Sequence, residues 1–194
     1  MLKNINEYKA ILKSRLTEKR YYHSLCVAEE AKRLAEKYGA DADKAYIAGL
    51  LHDITKNADK HEHFAIFASA AAELTPIERG AEKLWHAMSG AIFVKNNLGI
   101  NDSEILSAIR YHTTARADMT LLEKILYLAD FTSADRDYDD VDVMRRLVDE
   151  SLESAMIYAL SYTIKELIDK RAAVHPDTTD AYNQTVLKEQ SYVI

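Results

Sequence analysis

The chain has 194 residues, 48% of them apolar and 29% charged, with a formal net charge of −6. A chain acidic overall lacks the clustered lysine and arginine that a phosphodiester backbone requires, so neither DNA nor RNA is expected as a partner. One cysteine, Cys26, rules out an intrachain disulfide, and no run reaches the ~20 apolar residues of a membrane span.

Met1 to Ser14 is charged and amphipathic rather than an apolar signal core, and the expectation is a soluble, cytoplasmic protein. Five glycines and two prolines leave few helix breakers. Ile5, Tyr8, Ile11, Leu12 and Leu16 recur at helical spacing and predict a first helix. Thr17 caps a second, with Leu25, Ala28, Ala31, Leu34, Ala35 and Tyr38 as its apolar stripe and Gly39 as its stop. Asp41 caps a third, which runs through Leu51 into His52-Asp53 and the polar turn Thr55-Lys56-Asn57.

A fourth helix is expected from Asp59 to Leu74. Thr75-Pro76 with Glu78 has the capping-box pattern of a new start. The helical stretch beyond is expected to break near Gly80 and Gly90 and to end at Gly99. Asp102 starts a helix reaching His112, Thr120 to Asp130 forms a strongly apolar one, and Asp139 or Asp140 caps a short one. A long helix covers Ser151 to about Ala173, and a last short one Thr178 to Lys188. No segment shows sustained strand alternation. The fold class is therefore all-α, one irregular helical bundle forming a single domain over residues 1–194.

Chemistry starts from seven histidines, because imidazole and carboxylate together suit borderline metal ions. His52-Asp53 follows Ala48-Gly49-Leu50-Leu51, and Asp130 follows Leu126-Tyr127-Leu128-Ala129. Both are apolar helix ends. The helix dipole there is negative, so a buried aspartate needs a cation or strong donors. That favours metal ligation for His52, Asp53 and Asp130. For His23, His86 and His112, spacing leaves ligand and core histidine equally open. His61 and His63, beside Lys60 and Glu62, read as a solvated face or a secondary substrate contact, with the solvated face favoured. His175 stays open between loop residue and active-site contact. Cys26 reads as a small packing residue. No glycine-rich phosphate loop or dinucleotide fingerprint occurs.

The strings Arg20-Tyr21-Tyr22-His23-Ser24, Gly49-Leu50-Leu51-His52-Asp53-Ile54-Thr55-Lys56 and His86-Ala87-Met88-Ser89-Gly90 stand in that order. Tyr111-His112-Thr113-Thr114, Leu128-Ala129-Asp130-Phe131 with Arg136, and His175-Pro176-Asp177-Thr178 follow. Together they resemble the bacterial symmetrical bis(5′-nucleosyl)-tetraphosphatases of HD type, from about Arg20 to Asn183. The resemblance implies an HD-type helical domain that cuts diadenosine tetraphosphate into two ADP at a pair of metal ions. The ions are divalent or mixed-valent: iron, with Mn, Co, Ni or Zn as alternatives. It assigns one ion to His23, His52, Asp53 and Asp130, and the other to His86 and His112, with Asp53 bridging. A hydroxide between the ions would attack a central phosphorus. Catalytic roles fall to Asp53, Lys56 and Arg20, and substrate contacts to Arg20, Lys56, Thr113, Arg136 and His175. Two loops depart from the pattern: Ala115 and Asp139-Asp140 stand where the family often has glycine.

Other readings separate by product or by metal content. An HD enzyme acting on a mononucleotide, a triphosphate or an alarmone would release nucleoside or pyrophosphate. A nucleotide-binding module without turnover has no need of six ligands, and a purely structural helical protein leaves Asp53 and Asp130 unexplained. A homodimer is the base-rate expectation.

Overall fold

A computed structural model describes residues 5–191 of the chain; residues 1–4 and 192–194, the two ends of the expected domain, lie outside them. Eleven α-helices are found among the described residues, and no strand. They are α1 (Ile5–Arg15), α2 (Glu18–Tyr38), α3 (Ala42–Leu51), α4 (Lys60–Ser69), α5 (Pro76–Gly80), α6 (Trp85–Leu98), α7 (Ser103–Tyr111), α8 (Leu121–Thr132), α9 (Val141–Glu150), α10 (Leu152–Asp169) and α11 (Pro176–Ser191). A 3₁₀ turn, Glu82–Leu84, precedes α6.

Most helix starts follow from a short polar side chain that accepts from the free N–H groups of the first turn. Thr17 accepts from Arg20 N, Asp41 from Asp43 N and Lys44 N, and Asp59 from Glu62 N. Thr75 with Glu78, and Thr120 with Glu123, form full capping boxes. Asp140 breaks this rule. It occupies the N-cap of α9 at φ 68° and its side chain makes no capping bond. Several expected bounds also shift. α4 ends at Ser69, α10 at Asp169, and α11 runs from Pro176 to Ser191. α6 passes through Gly90 unbroken, because that residue is buried inside the bundle.

The core draws on most of the helices, with Tyr8, Leu12, Leu34, Leu50, Leu51, Ile54, Ile109 and Leu126 fully buried. A smaller cluster of Phe67, Leu74, Trp85 and Met88 lies under α4 and α6. α2 and α3 form the most extensive helix pair, and Gly49 makes it possible. A Cβ there would stand 2.8 Å from the Ala28 Cα and 2.9 Å from the Val27 carbonyl oxygen. This close crossing sets the C-terminal end of α3 beside the middle of α2.

Candidate metal centre

The end of α3 delivers His52 as its C-cap, and a tight turn delivers Asp53 directly after it. α2 brings His23, the first turn of α6 brings His86, the C-cap of α7 brings His112, and the last turn of α8 brings Asp130. All six residues converge. His23 Nε2 lies 2.9 Å from Asp130 Oδ1. His52 Nε2 lies 3.4 Å from Asp53 Oδ2 and 4.0 Å from Asp130 Oδ1. His86 Nε2 is 3.2 Å from Asp53 Oδ1 and 3.2 Å from His112 Nε2, and His112 Nε2 is 3.8 Å from Asp53 Oδ1.

Backbone and carboxylate partners fix which ring nitrogen faces inward. His52 Nδ1 donates to the Gly49 carbonyl at 2.7 Å, and His112 Nδ1 to the Ile109 carbonyl at 2.8 Å. His23 Nδ1 donates to Asp135 Oδ2 at 2.7 Å. A carbonyl or an ionised carboxylate can only accept, so each Nδ1 carries a proton and each ring turns its Nε2 toward the cage.

Charge follows from the same neighbours. Burial opposes ionisation of Asp53, but His52, His112 and His86 around it hold its carboxyl well below the usual carboxylate range. Burial also works against Asp130, and Arg136 with His23 and His52 outweighs it. Burial pushes His86 down to about 4 and lowers His112, so both rings are neutral near pH 7. Arg20 Nη1 donates to Asp53 Oδ2 at 2.8 Å. Arg136 donates to the Asp130 carbonyl through Nε at 2.6 Å and to its carboxylate through Nη2. Lys56 Nζ stands 3.0 Å from His86 Nε2, and burial lowers the pKa of its ammonium.

These residues suit a metal ion. His52 Nε2 and Asp53 Oδ1 are buried polar atoms that make no hydrogen bond, a costly arrangement unless a cation satisfies them. Two groups have ligand atoms all within 4.8 Å of one another: His23, His52 and Asp130, and His52, Asp53 and His112. Mixed imidazole and carboxylate donors fit a borderline divalent ion.

The HD domain model matches residues 20–135, a span that contains all six residues. Two curated relatives match almost end to end. The symmetrical bis(5′-nucleosyl)-tetraphosphatase of Bacillus subtilis (strain 168) is 41% identical over 183 residues, covering 94% of this chain and 98% of that protein. The protein of the same name from Halalkalibacterium halodurans is 39% identical over 180 residues, covering 93% and 96%. The chain belongs to the HD-domain family. A solved structure from Clostridium acetobutylicum, described as a predicted HD superfamily hydrolase involved in NAD metabolism, is also similar. It is 37% identical, with a TM-score of 0.93 over 97% of this chain and all of the other.

Not every expectation fits this HD-domain hydrolase. Asp130 is not fully buried: in the last turn of α8 its side chain keeps 20% of its surface exposed. The hydrogen bonds and ion pairs of His175 go to Glu78 and Asp177, and none of those described reaches the cage. Thr113 Oγ1 is buried beside His112 and makes no hydrogen bond. His61 is exposed, as a solvated face requires, whereas His63 is buried. Its Nδ1 bonds to Ser89 Oγ at 2.8 Å and its ring packs on Trp85 and Phe67. Cys26 is half-buried and burial raises its thiol pKa, in keeping with a packing residue.

Asp135, with Ser133 donating to its other oxygen at 2.8 Å, escaped the sequence reading entirely. One signal was available: a Ser-Ala-Asp run shortly after the apolar helix that carries Asp130. Among the described residues no helix is long and apolar enough to cross a membrane.

Proposed function

We propose that this HD-domain hydrolase, acting as one domain over residues 1–194, cuts diadenosine tetraphosphate and related dinucleoside polyphosphates symmetrically, giving two ADP. The observation that carries this reading is the convergence of His52 Nε2 and Asp53 Oδ1, both buried and free of hydrogen bonds, with the inward-facing Nε2 atoms of His23 and His112. The substrate is taken from the names of the curated relatives. His23, His52, Asp53 and Asp130 would hold one metal ion, and His86 and His112 a second, with Asp53 shared. Iron is the choice by resemblance, and Mn, Co, Ni and Zn suit the same donors. Bound there, such ions supply positive charge against the phosphates and lower the pKa of water toward ~7.

The chain's own cations then position the polyphosphate. Arg20 holds Asp53 through Nη1 and keeps its other N–H groups for phosphate oxygens. Lys56 and Arg136 stand on opposite sides of the cage, at His86 and at Asp130. Water adds to one of the two central phosphorus atoms, the bond from that phosphorus to the central bridging oxygen breaks, and ADP departs. The water oxygen remains on the second ADP. A diphosphate is a good leaving group, so no strong general acid is needed.

The test is chromatography of the products after incubation with iron and with manganese. ADP alone is expected. ATP with AMP would refute the symmetric cut, and nucleoside or pyrophosphate from a smaller nucleotide would favour the mononucleotide or alarmone alternative. Asp53→Asn should lose bound metal and turnover together, and a variant keeping both would refute the assigned ligands.

A further inference from the structure

Beside the cage opens a cavity of about 410 Å³, lined by Lys56, Lys60, Lys83, His63, Trp85 and His86. It shares His86 with the cage, and Lys56 of its lining stands beside that cage. Lys56 stands 3.0 Å from His86 Nε2 and 3.7 Å from Asp53 Oδ1. In a chain of net charge −6, three lysines line this one cavity against a single glutamate, Glu82. Lys60 pairs with Glu82 at 3.1 Å and lies over the Trp85 ring, 5.4 Å from its centroid. Its volume falls within the range of small-molecule sites.

His63 gives this cavity a polarity that can be deduced. Thr55 Oγ1 donates its one hydrogen to the His86 carbonyl at 2.9 Å. In the 2.9 Å contact between Thr55 Oγ1 and Ser89 Oγ, serine must therefore be the donor. With its hydrogen spent, Ser89 Oγ must accept from His63 Nδ1 at 2.8 Å. The neutral ring thus carries its proton on Nδ1, and burial, which lowers its pKa, keeps it neutral. Nε2 is left as a fixed acceptor, and His63 lines the cavity. An acceptor does not suit phosphate oxygens; it suits an O–H or N–H donor. Phosphate-binding cations and a donor-seeking imidazole in one cavity match the two ends of a nucleotide.

We propose that this cavity binds one nucleoside diphosphate arm of the substrate. The phosphates lie toward Lys56 and the cage, and His63 Nε2 accepts a hydrogen bond from a hydroxyl or amino group of the nucleoside. The identity of the whole substrate rests on the function proposed above, but binding of the arm does not depend on turnover.

Trp85 is the only tryptophan in the chain and forms a wall of the cavity, so its emission reports occupancy. Titration of the metal-loaded protein with ADP should give a saturable change, and pyrophosphate one at least tenfold weaker. 2′-Deoxy-ADP, which lacks the 2′-hydroxyl, and purine riboside diphosphate, which lacks the amino group, identify which of these His63 accepts from. His63→Asn keeps an N–H for Ser89 and deletes the Nε2 acceptor. It should weaken ADP about fivefold, and lower kcat/KM for the tetraphosphate about as much through KM. His63→Gln, which restores an acceptor near Nε2, should recover most of the loss, and metal content should match wild type in both. Unchanged Trp85 emission with ADP, or wild-type ADP affinity in His63→Asn, would overturn the proposal. If the wild type leaves the tetraphosphate intact while ADP still titrates and His63→Asn weakens it, the cavity stands and the proposed substrate falls.

Discussion

Replacing Gly49 by alanine tests the geometry on which the cage depends. The added Cβ would meet backbone rather than a flexible side-chain end, at 2.8 Å from the Ala28 Cα, whereas ordinary contact begins at 3.4 Å. α2 and α3 must therefore part by about 0.6 Å, the difference between those two distances. Overpacking of this kind costs about 1–3 kcal/mol, and alanine's better helix propensity returns about 1 kcal/mol. The net loss is about 0–2 kcal/mol, or up to roughly 8 °C in Tm for a chain of this length. The larger effect is local. The Gly49 carbonyl orients His52, and His23 sits on the helix being pushed away, so the substitution separates His23 on α2 from His52 and Asp53 at the end of α3, three of the proposed ligands. Misplacement on the ångström scale costs up to about a hundredfold in rate, so a loss of tenfold or more is expected. Thermal denaturation, metal content after dialysis and the rate of ADP release measure the three consequences. A Gly49→Ala protein with wild-type Tm, metal content and rate would refute the claim that this crossing sets the site.

Other perturbations separate the remaining contributions. Asp135→Ala removes the carboxylate that orients His23 and should reduce metal affinity about 10–100-fold, read by dialysis against a competing chelator, with the circular dichroism spectrum unchanged. Glu78 accepts from Thr75 N at 2.8 Å and from Arg110 at 2.6 Å; burial opposes its charge, but these partners and His175 lower its pKa. A depressed folded-state pKa stabilises fully above the unfolded value near 4.5, and that stability is lost as pH falls through the folded value. Glu78→Gln should therefore be less stable than wild type by about 1 kcal/mol near pH 7, with the gap closing below pH 4.5 in urea melts. Asp140→Gly should stabilise by roughly 0.5–1 kcal/mol, because glycine adopts the left-handed conformation without strain and Asp140 makes no capping bond there. Equal or lower stability would show that the left-handed turn is not strained.

Much of the fold was legible because its signals are local. Thr17, Asp41, Asp59, Thr75, Asp102 and Thr120 each cap the helix that their spacing announced, and Gly39 and Gly99 end theirs at positive φ. His52 and Asp53 were legible for a related reason: a charged residue at an apolar helix end contradicts its surroundings. The rest depends on contacts distant in sequence. Nothing local distinguishes His63 from His61, because its burial is decided by Trp85, Phe67 and Ser89. Asp135 contacts His23 across 112 positions of chain. Ala115 and Asp140, standing where the resemblance leads one to expect glycine, both adopt positive φ, 57° and 68°. Both residues thus take up the backbone conformation that glycine favours.

The uneven distribution of charge bears on how a polyanion arrives. A chain with a net charge of −6 repels a tetraphosphate at long range, while Lys56, Lys60 and Lys83 gather at one opening. Such a pattern funnels encounters toward a single entrance rather than raising them everywhere. Dissolved salt, with a screening length of about 8 Å at physiological strength, shortens the reach of that funnel. The capture rate of the proposed substrate should therefore fall with ionic strength even though the chain as a whole carries the same sign of charge as a tetraphosphate.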